Sequence, residues 1–455
     1  MDLLIKNGTI VNEGLSLTGS LLIKDCIISK VLLEKEFQSK EEYCSYVESI
    51  NAKKVINAEG LHILPGVIDD QVHFREPGNT HKATILSESK AAILGGVTSY
   101  MDMPNNTPAT TTLSGLQEKY IIAQKDSYAN YSFYLGATND NLDEIKAIDK
   151  KKICGVKVFM GSSTGNMLVN DNNQLNAIFK DSPVLIATHC EQEDIIKANL
   201  EFYKNKYGEN IPFEMHPSIR SREACIACSK RAIDLAIANN TRLHILHIST
   251  ADEIEMIKEA RKVNDKITGE VCVHYMWFND SDYAKYGSAV KCNPAIKKES
   301  DMHAIRTAVK DGSIRVVATD HAPHLLAEKQ GNYLNAPSGL PLVQHSLQLM
   351  LELAHKNLFT VEEVADRMSH GPAECFKVEK RGYIKEGYYA DLAIVNLNKK
   401  DETSTNSPAY KCGWSPLKGY TFSSSIIYTI VNGVAVVENG EFQDIKNAMP
   451  LSFNR

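Results

Sequence analysis

Histidine, lysine and aspartate recur in this sequence at the ends of short apolar runs. Gln71 and His73 close HILPGVIDDQVHF and Arg75 follows; Lys157 lies in CGVKVFMG, His189 in PVLIATHC and His247 in RLHILHIS, while Asp320, His321 and His324 end IRVVATDHAPH. A single buried histidine reads as a satisfied core side chain. Costly polar groups at the same end of five runs are better explained by a shared metal. Imidazoles with a carboxylate and one further ligand suit a borderline cation such as zinc, with positions left for water and substrate. An ammonium would repel that cation, so Lys157 fits the cluster only as a carbamate formed with CO₂, whose carboxylate can reach two metals. The alternatives for Lys157 are an ammonium snorkelling at a strand end or one bound to a substrate anion.

Those residues need a frame that gathers strand ends. Residues 62–375 alternate apolar runs with helical stretches, and the runs are HILPGVIDDQVHF, VTSYMDMP, YSFYLGAT, CGVKVFMG, PVLIATHC, RLHILHIS, ITGEVCVHY and IRVVATDHAPH. Eight such units predict a TIM (β/α)₈ barrel, which places its active site at the strands' C-terminal ends. No GxGxxG follows the first strand to suggest a dinucleotide site. Residues 1–61 and 376–455 are β-rich, with Asn432-Gly433 and Asn439-Gly440 as hairpin turns. Neither end has enough strands to close a core alone, so the two are expected to pair into a small β-sandwich domain.

Composition narrows the partners. The 455 residues include 43% hydrophobic and 23% charged types with net charge -6, a balance that offers no basic field for nucleic acid or an anionic membrane and leaves a small-molecule substrate. No apolar run reaches the roughly 18 residues of a membrane span, so a soluble, cytoplasmic protein is expected, with homo-oligomerisation left open. The ten cysteines are scattered and are expected to stay reduced. Cys225 and Cys228 lie in a helical stretch, REACIACSKRAIDLAIANN, and read as core residues on one face rather than a redox pair.

The sequence resembles the cyclic amidohydrolases and, among them, the dihydroorotase family. The strings that carry the likeness are HFREPG at 73–78, DMPNNTP at 102–108, VKVFMGSSTG at 156–165, ATHCE around His189, HILHIST at 244–250, KCNPAIK at 291–297 and TDHAPH at 319–324. The resemblance implies a metal site of His73, Lys157 as its N6-carboxylated form, His189, His247 and Asp320, with substrate contacts from Arg75, Asn105, Asn293 and His324. The implied reaction is reversible hydrolysis of L-dihydroorotate to N-carbamoyl-L-aspartate, a step of pyrimidine biosynthesis, with Asp320 as general base. A ring carboxylate and a cyclic imide suit a guanidinium, an amide and an imidazole. Allantoinases usually carry Asn where this chain has Arg75.

The family's first strand normally reads His-x-His, whereas this chain has Gln71-Val72-His73. A glutamine oxygen is a weaker ligand than imidazole, so one tight zinc and a second, weaker one are expected. Two rivals follow: an allantoinase- or hydantoinase-type cyclic amidase, which Arg75 disfavours, and a non-catalytic subunit supporting aspartate transcarbamoylase, which Gln71 keeps open. His274 is expected at the same mouth, and residues 329–345 are expected to bring Pro337, Ser338 and Gly339 to the substrate.

Overall fold

The computed structural model describes residues 2–161 and 167–455, so the end of the string 156–165 lies outside the described residues. Eight parallel strands form the barrel: β1 (Val67–Val72), β2 (Val97–Asp102), β3 (Asn130–Phe133, resuming at Leu135–Gly136), β4 (Val156–Phe159), β5 (Ile186–His189), β6 (Leu243–Ile245), β7 (Ile267–Cys272) and β8 (Val316–Ala318). Neighbours pair in parallel from β1 to β3 and from β3 to β8. A parallel bridge between Val72 and His321 closes the ring, aided by the Thr319 hydroxyl, which donates to Asp69 Oδ2 at 2.6 Å.

β1, β2, β4 and β5 are buried at every position, as parallel strands covered on both faces must be. The covering helices are amphipathic. In Asn172–Asp181 the buried Leu175, Ile178 and Phe179 fall on one face, at the three- and four-residue spacing a helix requires. Several of these helices begin just past a strand's C-terminal end with a hydroxyl cap; Thr250, for example, accepts from Glu253 N at 3.2 Å. Cys225 and Cys228 are buried in the helix Arg222–Asn239, and all ten cysteines are free.

The β-rich ends do meet, joined in one hydrogen-bonded nine-stranded sheet. His62–Pro65 is its junction, parallel to Asp2–Asn12 and antiparallel to Leu392–Asn396. The run expected as a single first barrel strand is therefore two strands, parted at Gly66, where a Cβ would sit 2.1 Å from the Thr98 hydroxyl. Side chains from both ends, among them Ile5, Ile23, Ile63, Leu392 and Ile430, share one core. In both hairpin turns Asn and Gly have positive φ, as the right-handed strand twist favours. Two segments expected with this sheet pack on the barrel instead. Residues 449–455 run back along it, with Leu451 N donating to Tyr131 O at 2.8 Å. Within 401–422, Trp414 Nε1 donates to His324 O at 2.7 Å. No helix of the described residues is long and apolar enough to cross a membrane.

Candidate active site

A cavity of about 650 Å³ opens at the C-terminal ends of the barrel strands, lined by Gln71, His73, Arg75, Asn105, Lys157, His189, His247, Asn293, Asp320 and His324 together with Pro337, Ser338 and Gly339. The strand ends thus gather every ligand and contact residue expected from sequence around one space. His274 is the exception: it is buried in the turn Val273–Trp277 after β7 and does not line the cavity.

The polar groups fall into two halves. In the first, His189 Nδ1 and His247 Nε2 face each other at 2.9 Å. Burial keeps both rings below the ordinary histidine range, hence neutral. His189 Nε2 lies 3.1 Å from Glu191 Oε2, which favours a proton on Nε2 and a lone pair on Nδ1. Burial alone would raise the Glu191 carboxyl, but Arg220 and His189 hold it below its usual range. Lys157 is buried beside them, its Nζ 4.7 Å from the Phe159 ring centroid. Burial lowers its ammonium to about 8 despite Asp320 and Glu270.

In the second half His73 Nδ1 donates to Asn105 Oδ1 at 2.6 Å, leaving Nε2 to face Asp320 Oδ1 at 3.0 Å. Gln71 does not imitate the missing histidine: its Nε2 donates to the same Asp320 oxygen at 3.2 Å, and its Oε1 faces Cys272 Sγ at 3.6 Å. Burial opposes ionisation of Asp320, but the contact with His73 brings its carboxyl down to about 2. Arg75, His247 and Asp320 all have left-handed backbones, with φ of 66°, 41° and 49°. Such conformations in non-glycine residues cluster where function constrains the chain.

Imidazole nitrogens that converge on one another and on a carboxylate, with few protons to share, form a donor set that fits a divalent cation of zinc's type. The His189–His247 half offers two imidazoles, the His73–Asp320 half only one. Lys157 lies buried between the halves and can join the set only as an anionic carbamate.

Beyond this set, Arg75 Nε donates to Pro323 O at 3.1 Å, and one terminal nitrogen lies 3.1 Å from His324 Nε2. On the other side of that ring Lys82 Nζ is 3.1 Å from Nδ1. Among the described residues, Asn293 Oδ1 is buried without a hydrogen-bond partner. Sequence reasoning missed Lys82, Glu191 and Asp69; the acid two residues after His189 was the only local signal. It also missed a second cluster, Asp70, His244 and Glu270, which converges nearer the strands' N-terminal ends.

The sequence pattern of the amidohydrolase family matches residues 62–436. The chain belongs to the amidohydrolase family. Among amidohydrolase relatives, a dihydroorotase of Methanosphaera stadtmanae is 30% identical over 422 residues, covering 92% of each chain. An allantoinase of Desulfitobacterium hafniense is 30% identical over 450 residues, covering 97% of this chain and 96% of its own. The solved L-hydantoinase of Arthrobacter aurescens superposes with a TM-score of 0.92 at 23% identity over 99% of both chains, a likeness of fold.

Proposed function

We propose that this amidohydrolase is a zinc-dependent dihydroorotase that opens and closes the ring of L-dihydroorotate, with N-carbamoyl-L-aspartate as the other reactant. The relatives include dihydroorotases and allantoinases at the same identity, so the choice rests on the cavity. The observation that carries it is the Arg75–His324–Lys82 row. A neutral imidazole has one lone-pair nitrogen. Lys82 takes it at Nδ1, so Nε2–H is left for Ser338 O, 3.1 Å away. Arg75 then finds no acceptor on that ring, and its terminal N–H groups serve a ligand anion. A ring carboxylate meets that demand, and allantoin and hydantoin have none.

His189, His247, Lys157 as a carbamate, His73 and Asp320 would hold the metal, tightly in the first half and weakly beside Gln71. A divalent cation there would lower the pKa of water to about 7 and polarise the ring carbonyl. Burial readies Lys157 for carboxylation, since only a neutral amine attacks CO₂. Asp320 Oδ accepts a proton from the attacking water and returns it to the ring nitrogen as the C–N bond breaks; in ring closure it takes the proton of the attacking nitrogen and gives it to the departing hydroxide, which leaves as water. Arg75 and Asn293 orient the substrate, His324 packs beside Arg75 with its nitrogens engaged by Lys82 and Ser338 O, and Asn105 contributes through the ring of His73.

Purified protein assayed on L-dihydroorotate, allantoin and hydantoin, with and without added zinc, tests this reading. Turnover of dihydroorotate alone is expected. Preference for allantoin or hydantoin would overturn the substrate, and no turnover of any of them with zinc bound would favour the non-catalytic subunit.

A further inference from the structure

Asp70 on β1, His244 on β6 and Glu270 on β7 are wholly buried. His244 Nε2 lies 3.2 Å from Glu270 Oε2 and 3.3 Å from Asp70 Oδ2. The opposite side of the ring defines its protons. The Thr268 hydroxyl donates to Leu243 O at 3.1 Å, so its oxygen accepts from His244 Nδ1 at 2.8 Å. Nε2 then faces the carboxyl groups of both Asp70 and Glu270, a contact that fixes Glu270 from one side. Burial disfavours the charged ring, but Cys375, Asp70 and Glu270 outweigh it and hold its pKa well above the usual range.

The other oxygen of Glu270 reaches the neighbouring strand, where Oε1 accepts from the backbone N–H of His247 at 3.3 Å. An extended strand turns successive N–H groups to alternate neighbours. Here Leu246 N donates to Thr188 O on β5 and Ile248 N to Glu270 O on β7. Alternation turns the His247 N–H towards β7, and the left-handed turn at His247, φ 41°, brings the next N–H, that of Ile248, to the same strand. The Glu270 carbonyl is already engaged by Ile248, so the side-chain carboxylate satisfies the donor. The same turn presents the His247 ring to His189.

We propose that Glu270, held from behind by His244, is a positioning residue that holds His247 in its left-handed conformation and thereby shapes the metal position shared with His189. The inference rests on His247 being a metal ligand, but not on the identity of the substrate.

Zinc competition between the full-length apoprotein and a chromophoric chelator provides the test, with thermal unfolding of each apoprotein in parallel. Glu270→Ala should weaken the tight site about tenfold or more, the range seen when a ligand loses its outer partner. Glu270→Gln keeps an acceptor oxygen for His247 N–H and should restore most of that affinity. If Glu270→Ala does not fold, Glu270→Asp carries the test, because it keeps the charge but falls short of His247 and should also bind zinc more weakly. Wild-type affinity in the shortened variants, or a loss in Glu270→Gln as large as in Glu270→Ala, would overturn the proposal. So would an anomalous zinc signal among Asp70, His244 and Glu270 in crystals of the wild-type protein, since Glu270 would then be a ligand itself. A wild-type chain that binds no zinc would overturn the metal centre together with this inference, whereas zinc binding without dihydroorotate turnover would count against the substrate alone.

Discussion

Asp320 combines an ionised carboxylate, held at about 2 by His73 against burial, with contacts from both Gln71 and His73 to one oxygen. Asp320→Asn keeps the shape and removes the base. Turnover should fall by about 10²–10⁴-fold, the usual share of general acid–base catalysis, while calorimetry shows substrate binding changed little. Retained turnover would remove Asp320 from the mechanism. Arg75→Met should raise KM for dihydroorotate by about 10–100-fold, as expected for a charge-assisted bond of roughly 1.5–3 kcal/mol, with kcat changed far less. An equal fall in kcat would place Arg75 in the chemical step instead. At this scale residue types at strand ends were readable from sequence. Their partners were not: Lys82 and His324 are 242 positions apart, and nothing local in the chain marks such a contact.

The loop after β8 shows how an element delivers these groups. Gly339 has φ 142°, and a Cβ there would lie 2.4 Å from Ala322 O. Lys329, buried below, donates to Pro337 O at 2.8 Å and Gly339 O at 3.0 Å. Gly339→Ala should therefore cost about 1–3 kcal/mol in thermal unfolding, the range for a strained backbone, and raise KM. Unchanged stability and KM would mean that the loop readily shifts. Burial also lowers the Lys329 ammonium to about 7 from 10.5. The unfolded chain then binds the extra proton between those values, so this residue makes stability rise with pH from about 7 to about 10. Denaturant melts of Lys329→Met across that range should show a shallower rise; an identical slope would exclude Lys329 as its source. That residues 337–339 would reach the cavity was expected from their turn chemistry. The break of the first run at Gly66 was not, because apolarity is continuous across it and only pairing partners distinguish the two strands.

For the whole molecule, metal binding and folding should be linked. Zinc that binds only the native chain stabilises it by about 2.7 kcal/mol at a hundredfold excess over Kd, so chelation should lower Tm and abolish turnover, with zinc restoring both. Metal analysis should give one tightly held zinc per chain, rising towards two in Gln71→His. Two equally tight zincs in the wild type would contradict the role given to Gln71. What the sequence determined by itself was the repeating strand-and-helix order and the chemistry at the strand ends, because burial and strand periodicity act locally. Only the tertiary structure decided that Gln71 turns its amide to Asp320, that residues 401–422 back onto His324, and that Glu270 supports His247. Each depends on closing a ring of strands far apart in the chain, and side-chain direction at a closure follows from packing that no single segment encodes.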